Sequence, residues 1–128
     1  MTVLVLDSGA VSALAERSPR SLRLIAVLQR DGLWPPVVPS PVLVESVTGR
    51  VGADTNTNRL LAICQVTTQL PEWSARRAAR LRYLARRGSA VDAVVVEAAE
   101  PGGTVLTGDR ADLEALAAHA VEVTVRRI

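Results

Sequence analysis

Hydrophobic and polar positions along the chain fall into two patterns, short unbroken apolar runs and longer stretches with helical spacing. The first run, Val3-Leu4-Val5-Leu6 within residues 2–8, predicts a strand buried on both faces, as in a parallel sheet. It stops on Asp7, before the turn-prone pair Ser8-Gly9. A short helix is expected over 11–17. Ser18-Pro19 then reads as the cap and first turn of a second helix running to about Asp31 and ending at Gly32. Pro35-Pro36 opens a brief extended stretch at Val37-Val38. Ser40-Pro41 repeats the cap signature and predicts a helix to about Thr48, stopped near Gly49. A further helix is expected over 55–63, and a strand over 66–70.

The second half continues the alternation. Residues 72–87 predict a long helix closed by Gly88, and 90–99 another, ended by Pro101-Gly102-Gly103. Thr104-Val105-Leu106-Thr107 is a second short apolar strand that also runs toward a carboxylate, Asp109. A helix over 110–118 and a strand over 121–125 complete the pattern. Strands alternating with helices or helix pairs predict an α/β fold, a parallel sheet covered on both faces with right-handed crossovers. No repeat, linker or low-complexity segment interrupts it, so a single domain over 1–128 is expected.

Composition narrows the chemistry. With 48% hydrophobic residues the chain is not a disordered one. No apolar run approaches the ~20 residues of a membrane span and no signal-peptide pattern opens the chain, so a soluble, cytoplasmic protein without membrane contact is expected. The single Cys64 has no partner for a disulfide and reads as a small core residue, and no Cys/His cluster suggests zinc. Every basic residue is Arg, which excludes lysine-dependent chemistry, and the lone His119 excludes mechanisms needing two imidazoles. A net charge of +2 is compatible with nucleic acid without selecting it.

Most of the 13 acidic residues, including Glu16, Asp31, Asp54, Glu72, Glu114 and Glu122, read as solvated surface. Asp7 and Asp109 sit beyond strand ends, where ligands bind in open α/β sheets, although each also suits a helix N-cap. Asp92 interrupts the apolar helical run 90–96, where an unpaired carboxylate costs several kcal/mol unless the helix dipole or a metal offsets it. Glu45 lies among Pro41, Val42, Leu43, Val44 and Val47, or forms a polar strip with Ser46 and Thr48. If these four converge, each pair repels by about 4 kcal/mol at ~4 Å and an effective dielectric of 20. A divalent cation relieves that repulsion, and all-oxygen ligation suits Mg²⁺ or Mn²⁺.

Asp7-Ser8, then Ser40-Pro41-Val42-Leu43-Val44-Glu45, then Val91-Asp92-Ala93-Val94-Val95, then Val105-Leu106-Thr107-Gly108-Asp109 with Asp112 following, resembles the PIN domain. More narrowly, it resembles the VapC ribonuclease toxins of bacterial toxin–antitoxin pairs, across essentially the whole chain. The resemblance implies a three-layer α/β/α PIN-like fold with a central, mostly parallel sheet of four to five strands. It matches Asp7, Glu45, Asp92 and Asp109 to the family's acidic quartet, Asp112 to a further acid, and Thr107 to a hydroxyl residue beside the pocket; Ser8 is a secondary candidate. The expected activity is metal-dependent endoribonuclease cleavage of structured RNA, often tRNA or rRNA, with Asp7, Asp92 and Asp109 holding Mg²⁺ (or Mn²⁺) that activates a water for in-line attack. A homodimer and a cognate VapB-like antitoxin are implied as partners. Two features depart from the family pattern, a short 88–92 loop and Glu97 where small residues are common.

Between Trp73 and Gly88 lie six Arg residues, of which Arg76, Arg80 and Arg87 share one helical side with Tyr83 while Ala78, Leu81, Leu84 and Ala85 lie opposite. That stripe is either a solvated face or a phosphate-binding strip. Trp34 and Trp73 suit packing or a protein interface. A dehalogenase-like phosphatase would need a second Asp at Gly9 and a Lys, and a receiver domain a Lys, so both are disfavoured. The live alternative is a non-catalytic PIN-like RNA- or protein-binding module.

Overall fold

A computed structural model describes residues 2–128. Five strands, β1 (Leu4–Leu6), β2 (Val37–Pro39), β3 (Gln65–Thr67), β4 (Thr104–Thr107) and β5 (Thr124–Arg127), form one sheet in the order β3-β2-β1-β4-β5, every pairing parallel. From β1 the chain moves outward through β2 to β3, then crosses to the other side of β1 for β4 and β5. Right-handed crossovers therefore place α1 (Ser8–Ala15), α2 (Pro19–Arg30), α3 (Ser40–Ser46) and α4 (Thr55–Leu61) toward one face, and α5 (Glu72–Ala85), α6 (Ala90–Ala99) and α7 (Arg110–Ala117) toward the other. Most helix contacts follow these layers: α1 touches α2, α3 and α4, while α5, α6 and α7 pack on one another, and α3 also meets α6 of the opposite layer. The three-layer α/β architecture is the one expected.

The core lies on both faces of β1 and β4. Leu4, Val5, Leu6, Val105 and Leu106 are fully buried between Val11 and Leu14 of α1 and Val95, Val96, Leu113 and Leu116 of the opposite layer. That two-sided burial is why these strands read as unbroken apolar runs rather than alternating ones. Ser18 caps α2, its side chain accepting from the Ser21 amide (3.1 Å), as the Ser-Pro signature predicted.

Several boundaries differ from expectation. Ser40 does not cap α3: Pro39 occupies the cap, Ser40 is already helical, and no side chain caps that end. The strand expected at 66–70 is Gln65–Thr67, because its partner β2 ends at Pro39, where α3 begins. The strand expected at 121–125 starts at Thr124. Val121 is consumed in a turn, its carbonyl accepting from Gly102 and its amide donating to Glu100, so the ladder begins where Thr124 meets Thr104. The helix expected to reach 87 stops at Ala85, with Arg86 in the left-handed region (φ 57°).

Two side-chain expectations also fail. Asp54 is buried rather than solvated, accepting from the Thr48 amide and hydroxyl (2.9 Å each) and the Gly49 amide (2.9 Å). Those bonds, led by the Thr48 amide, hold its pKa below the ordinary value and fix the 48–54 loop. Leu84, expected on the buried side of α5, is exposed. Cys64 is half-buried against the core, its thiol pushed up to about 11 by burial, and His119 faces solvent.

Candidate active site

The point where strand order reverses lies between β1 and β4, and two of the predicted acids follow those strands. Register sets Leu6 beside Leu106, so Asp7 emerges next to Thr107. Asp7 is 5% exposed. Its Oδ1 accepts from the Ala10 amide (2.8 Å), capping α1, and its Oδ2 accepts from the buried Thr107 hydroxyl. The cap and the functional reading of Asp7 are thus compatible, because one oxygen serves the helix and the other faces β4. Thr107 Oγ1 in turn accepts from the Asp109 amide (2.8 Å), so a three-residue relay ties β1 to the β4–α7 turn.

Gly9 and Gly108 make this approach possible. A Cβ on Gly9 would lie 3.1 Å from both Cα and N of Gly108, and 3.5 Å from Asp7 Oδ1. The two turns pack back to back, so that a side chain at either position would require the other turn to shift by a few tenths of an ångström. The sequence marks Gly9 as part of a turn-prone pair after Asp7, but its pairing with Gly108 depends on strand order, which local pattern does not carry.

Asp92 is the third residue of α6 and closes a capping box. Its amide donates to Ser89 Oγ (3.0 Å) and its Oδ2 accepts from the Ser89 amide (3.1 Å). It also lies near enough to Asp7 for the two charges to interact. The Asp7 carboxyl is held above its ordinary value of 3.8 chiefly by burial, with Asp92 adding to the rise, while Thr107 and the Ala10 and Gly108 amides oppose it.

The remaining predicted residues are less engaged. Asp109 precedes α7 but gives it no side-chain cap, and it is exposed without a side-chain partner among the described residues. Glu45 is exposed on α3, likewise without a described partner. Ser8 is half-buried at the start of α1. Asp112 pairs with Arg87 Nε at 2.7 Å. Arg87 has left the α5 stripe, because the left-handed Arg86 turns the chain off the helix; Gly88 behind it packs on Leu116, where a Cβ would come within 2.7 Å of Cδ1.

The structure therefore joins Asp7 with Thr107 and brings Asp92 within electrostatic reach. No three of the described His, Cys, Asp or Glu side chains gather into a group able to hold a metal ion. Carboxylate and hydroxyl oxygens without imidazole or thiolate are hard donors, of the type that Mg²⁺ or Mn²⁺ prefers over zinc, but among the described residues they do not form a gathered ligand set.

No protein-family model matches the chain, and none of the curated proteins matches it in sequence. Solved structures do share its architecture. A chain from the structure of FitAB bound to the IR36 DNA fragment superposes with a TM-score of 0.64 at 18% identity, covering 98% of this chain and 94% of that one. PAE2754 from Pyrobaculum aerophilum superposes with a TM-score of 0.63 at 17% identity, covering 97% and 90%. The fold is PIN-like. Within this PIN-like frame, Asp7, Thr107 and Asp109 lie at the carboxyl ends of the two central strands, where the strand order reverses.

One further acid, noted in the sequence only as a departure from the family pattern, has a built environment. Glu97 lies in the apolar seam of α6, half-buried, with its Oε1 accepting from the buried Ser74 hydroxyl (2.9 Å). The signal that singled out Asp92, an acid inside an apolar helical run, applied equally to Glu97. It lies toward the opposite end of α6 and takes no part in the crevice.

Proposed function

We propose that this chain is a metal-dependent endoribonuclease, the toxin of a VapBC-like toxin–antitoxin pair, cleaving structured RNA such as tRNA or rRNA. The observation that carries the reading is the buried Asp7 carboxylate, fixed at the switch point by Thr107 and electrostatically coupled to Asp92. Mg²⁺ or Mn²⁺ held by Asp7, Asp92 and Asp109 would supply an acidified water and neutralise charge developing on the phosphate oxygens.

The chain's own residues do the positioning. Thr107 and the Ala10 amide lock Asp7 in one orientation, and the Ser89 box does the same for Asp92. Asp109 and Glu45, with no competing partners, are free to turn toward a substrate phosphate or cation. Asp112 and Ser8 border the crevice as secondary residues. Of the predicted RNA contacts, Arg87 is the one at this rim. A homodimer and an antitoxin that occludes the acids belong to the same reading.

One observation favours the rival, a non-catalytic PIN-like module binding RNA or protein: no third carboxylate joins the described pair. Cleavage of a panel of structured RNAs separates the two. Purified protein with Mg²⁺ or Mn²⁺ is expected to cut at defined sites, with EDTA abolishing the cuts and Asp92→Asn slowing them by at least about a hundredfold. Equal behaviour of wild type and variant on every RNA, with no metal bound in a titration of either, overturns the nuclease reading.

A further inference from the structure

Strand register continues the row at the switch point one strand beyond the acids. Leu6 pairs with Leu106 and Thr107 with Arg127, so Asp7, Thr107 and Arg127 stand side by side across β1, β4 and β5. At about 4.8 Å between neighbouring strands, the Arg127 backbone lies roughly 10 Å from that of Asp7. A long side chain starting there covers most of that distance. Directly paired residues of a parallel ladder turn their side chains to the same face, so Arg127 shares the face of Thr107, whose hydroxyl meets Asp7. Its two neighbours turn the other way. Arg126 approaches Asp31, beyond α2 (3.9 Å), and Ile128 lines a hollow with Leu14 and Leu24. The Ile128 amide donates to the Thr107 carbonyl (3.1 Å), which fastens the backbone at Arg127 to the end of β4.

Charge singles out the same residue. The other two arginines around the β4–α7 turn are engaged by carboxylates of α7, Arg87 by Asp112 (2.7 Å) and Arg110 by Glu114 (2.6 Å). Arg127 is exposed and pairs with no carboxylate among the described residues, although Asp109 stands two positions after Thr107 and is also unpaired. A charge on an edge strand also discourages pairing with other chains, and either arginine of β5 would supply that. Only Arg127 stands in the row of Asp7 and Thr107.

We propose that Arg127 holds a backbone phosphate of the RNA, the one next along the strand from the phosphate that meets the acids. The assignment rests on the ribonuclease reading and adds to it a direction, with the RNA backbone crossing the carboxyl ends of the strands from β1 toward β5. A guanidinium suits the role, since it binds phosphate through two parallel hydrogen bonds and keeps its charge at any working pH. The acids by themselves repel a phosphate backbone. A cation one strand beyond Thr107 offsets that repulsion without neutralising Asp7.

Binding of labelled tRNA and rRNA fragments tests it, read with Mg²⁺ on Asp92→Asn protein so that the RNA stays intact, over about 50 to 200 mM salt. Adding Arg127→Ala should weaken binding roughly tenfold and make the slope of log K against log salt shallower by about 0.7 to 1. Arg127→Lys should keep the slope while losing part of the affinity, because it keeps the charge but not the fork. Arg126→Ala, on the other face, should leave both unchanged. In cleavage by otherwise wild-type protein, Arg127→Ala should raise KM with kcat nearly unchanged, since the contact is present before and during the reaction. Arg127→Ala that matches its parent in affinity and slope, or Arg126→Ala that loses as much, overturns the proposal. Wild type that cuts no RNA while Arg127→Ala still weakens binding sinks the nuclease reading and upholds the phosphate contact. Protein that binds no RNA overturns both.

Discussion

At the end of the sheet where α6 stops, Glu100 is spoken for: it takes a two-pronged grip from Arg77 (2.9 and 2.7 Å) and the Val121 amide (2.8 Å). At the opposite end, beyond the two central strands, Asp7 is buried against a hydroxyl and an amide with no cationic side chain paired to it among the described residues, while Asp109 and Glu45 have no described partner at all. One end uses a carboxylate to join α5, α6 and the β5 turn; the other leaves negative charge uncompensated. Uncompensated charge lowers stability and suits a site that awaits a cation or substrate.

Backbone packing at the two ends makes the first way to break this comparison. A Cβ on Gly103 would lie 2.4 Å from the Ala99 carbonyl oxygen and 2.7 Å from Val3 Cγ1, whereas one on Gly9 meets Gly108 backbone at 3.1 Å. Gly103→Ala should therefore destabilise the chain by roughly 3 kcal/mol, and Gly9→Ala by less, with its main effect on crevice geometry. Urea unfolding of both reads the difference. A Gly103→Ala variant as stable as wild type would mean that the α6–β4 turn relaxes freely.

The second test turns on opposite pH signatures. Glu100 is held below its ordinary value of 4.5, first by the Arg77 hydrogen bond. It therefore stabilises the fold above that value, and the contribution disappears as pH falls through its folded-state pKa. Asp7 is held above 3.8, first by burial. Its contribution is present below 3.8 and lost as pH rises through its folded-state pKa, so the penalty is complete at neutral pH. Glu100→Gln should cost about 2 kcal/mol at pH 7 and progressively less in acid. Asp7→Asn should gain about 1 kcal/mol at pH 7, a gain that fades in acid, while abolishing any cleavage. Unfolding curves from pH 3 to 8 check both, and equal signs for the two variants would erase the distinction between the ends.

How much of this was legible in the sequence follows from what each feature depends on. The strand at 4–6, the Ser18 cap and the helix at 90–99 are set by neighbours within a few residues, and pattern alone finds them. The start of β5 is not local: Val121 looks like a strand residue but is claimed by Glu100 and Gly102. Asp54 resembled a surface acid because its partners, Thr48 and Gly49, sit in a loop whose fold Asp54 itself dictates. Asp7 and Asp109 could be named as candidates, each following a buried strand, although each also suits a helix N-cap and only the family resemblance set them apart. Their neighbours could not: Thr107 meets Asp7, and Gly9 meets Gly108, only once β1 and β4 are known to be adjacent.

The smallest expected effect concerns the one ion pair at the crevice edge. Arg87 and Asp112 are 2.7 Å apart, but their side chains are 54% and 27% exposed, against 34% and 11% for Arg77 and Glu100. Solvent screens such a pair and its ordering entropy offsets much of the attraction, so Arg87→Ala should change stability by less than about 1 kcal/mol, and less again in high salt. The turn it leaves does not depend on it, because Gly88 packs on Leu116 and Ser89 is boxed with Asp92. Thermal unfolding at low and high salt is the measurement. A loss comparable to that of Glu100→Gln, insensitive to salt, would show that the crevice end is braced by charge after all, and the contrast between a braced end and an open one would no longer hold.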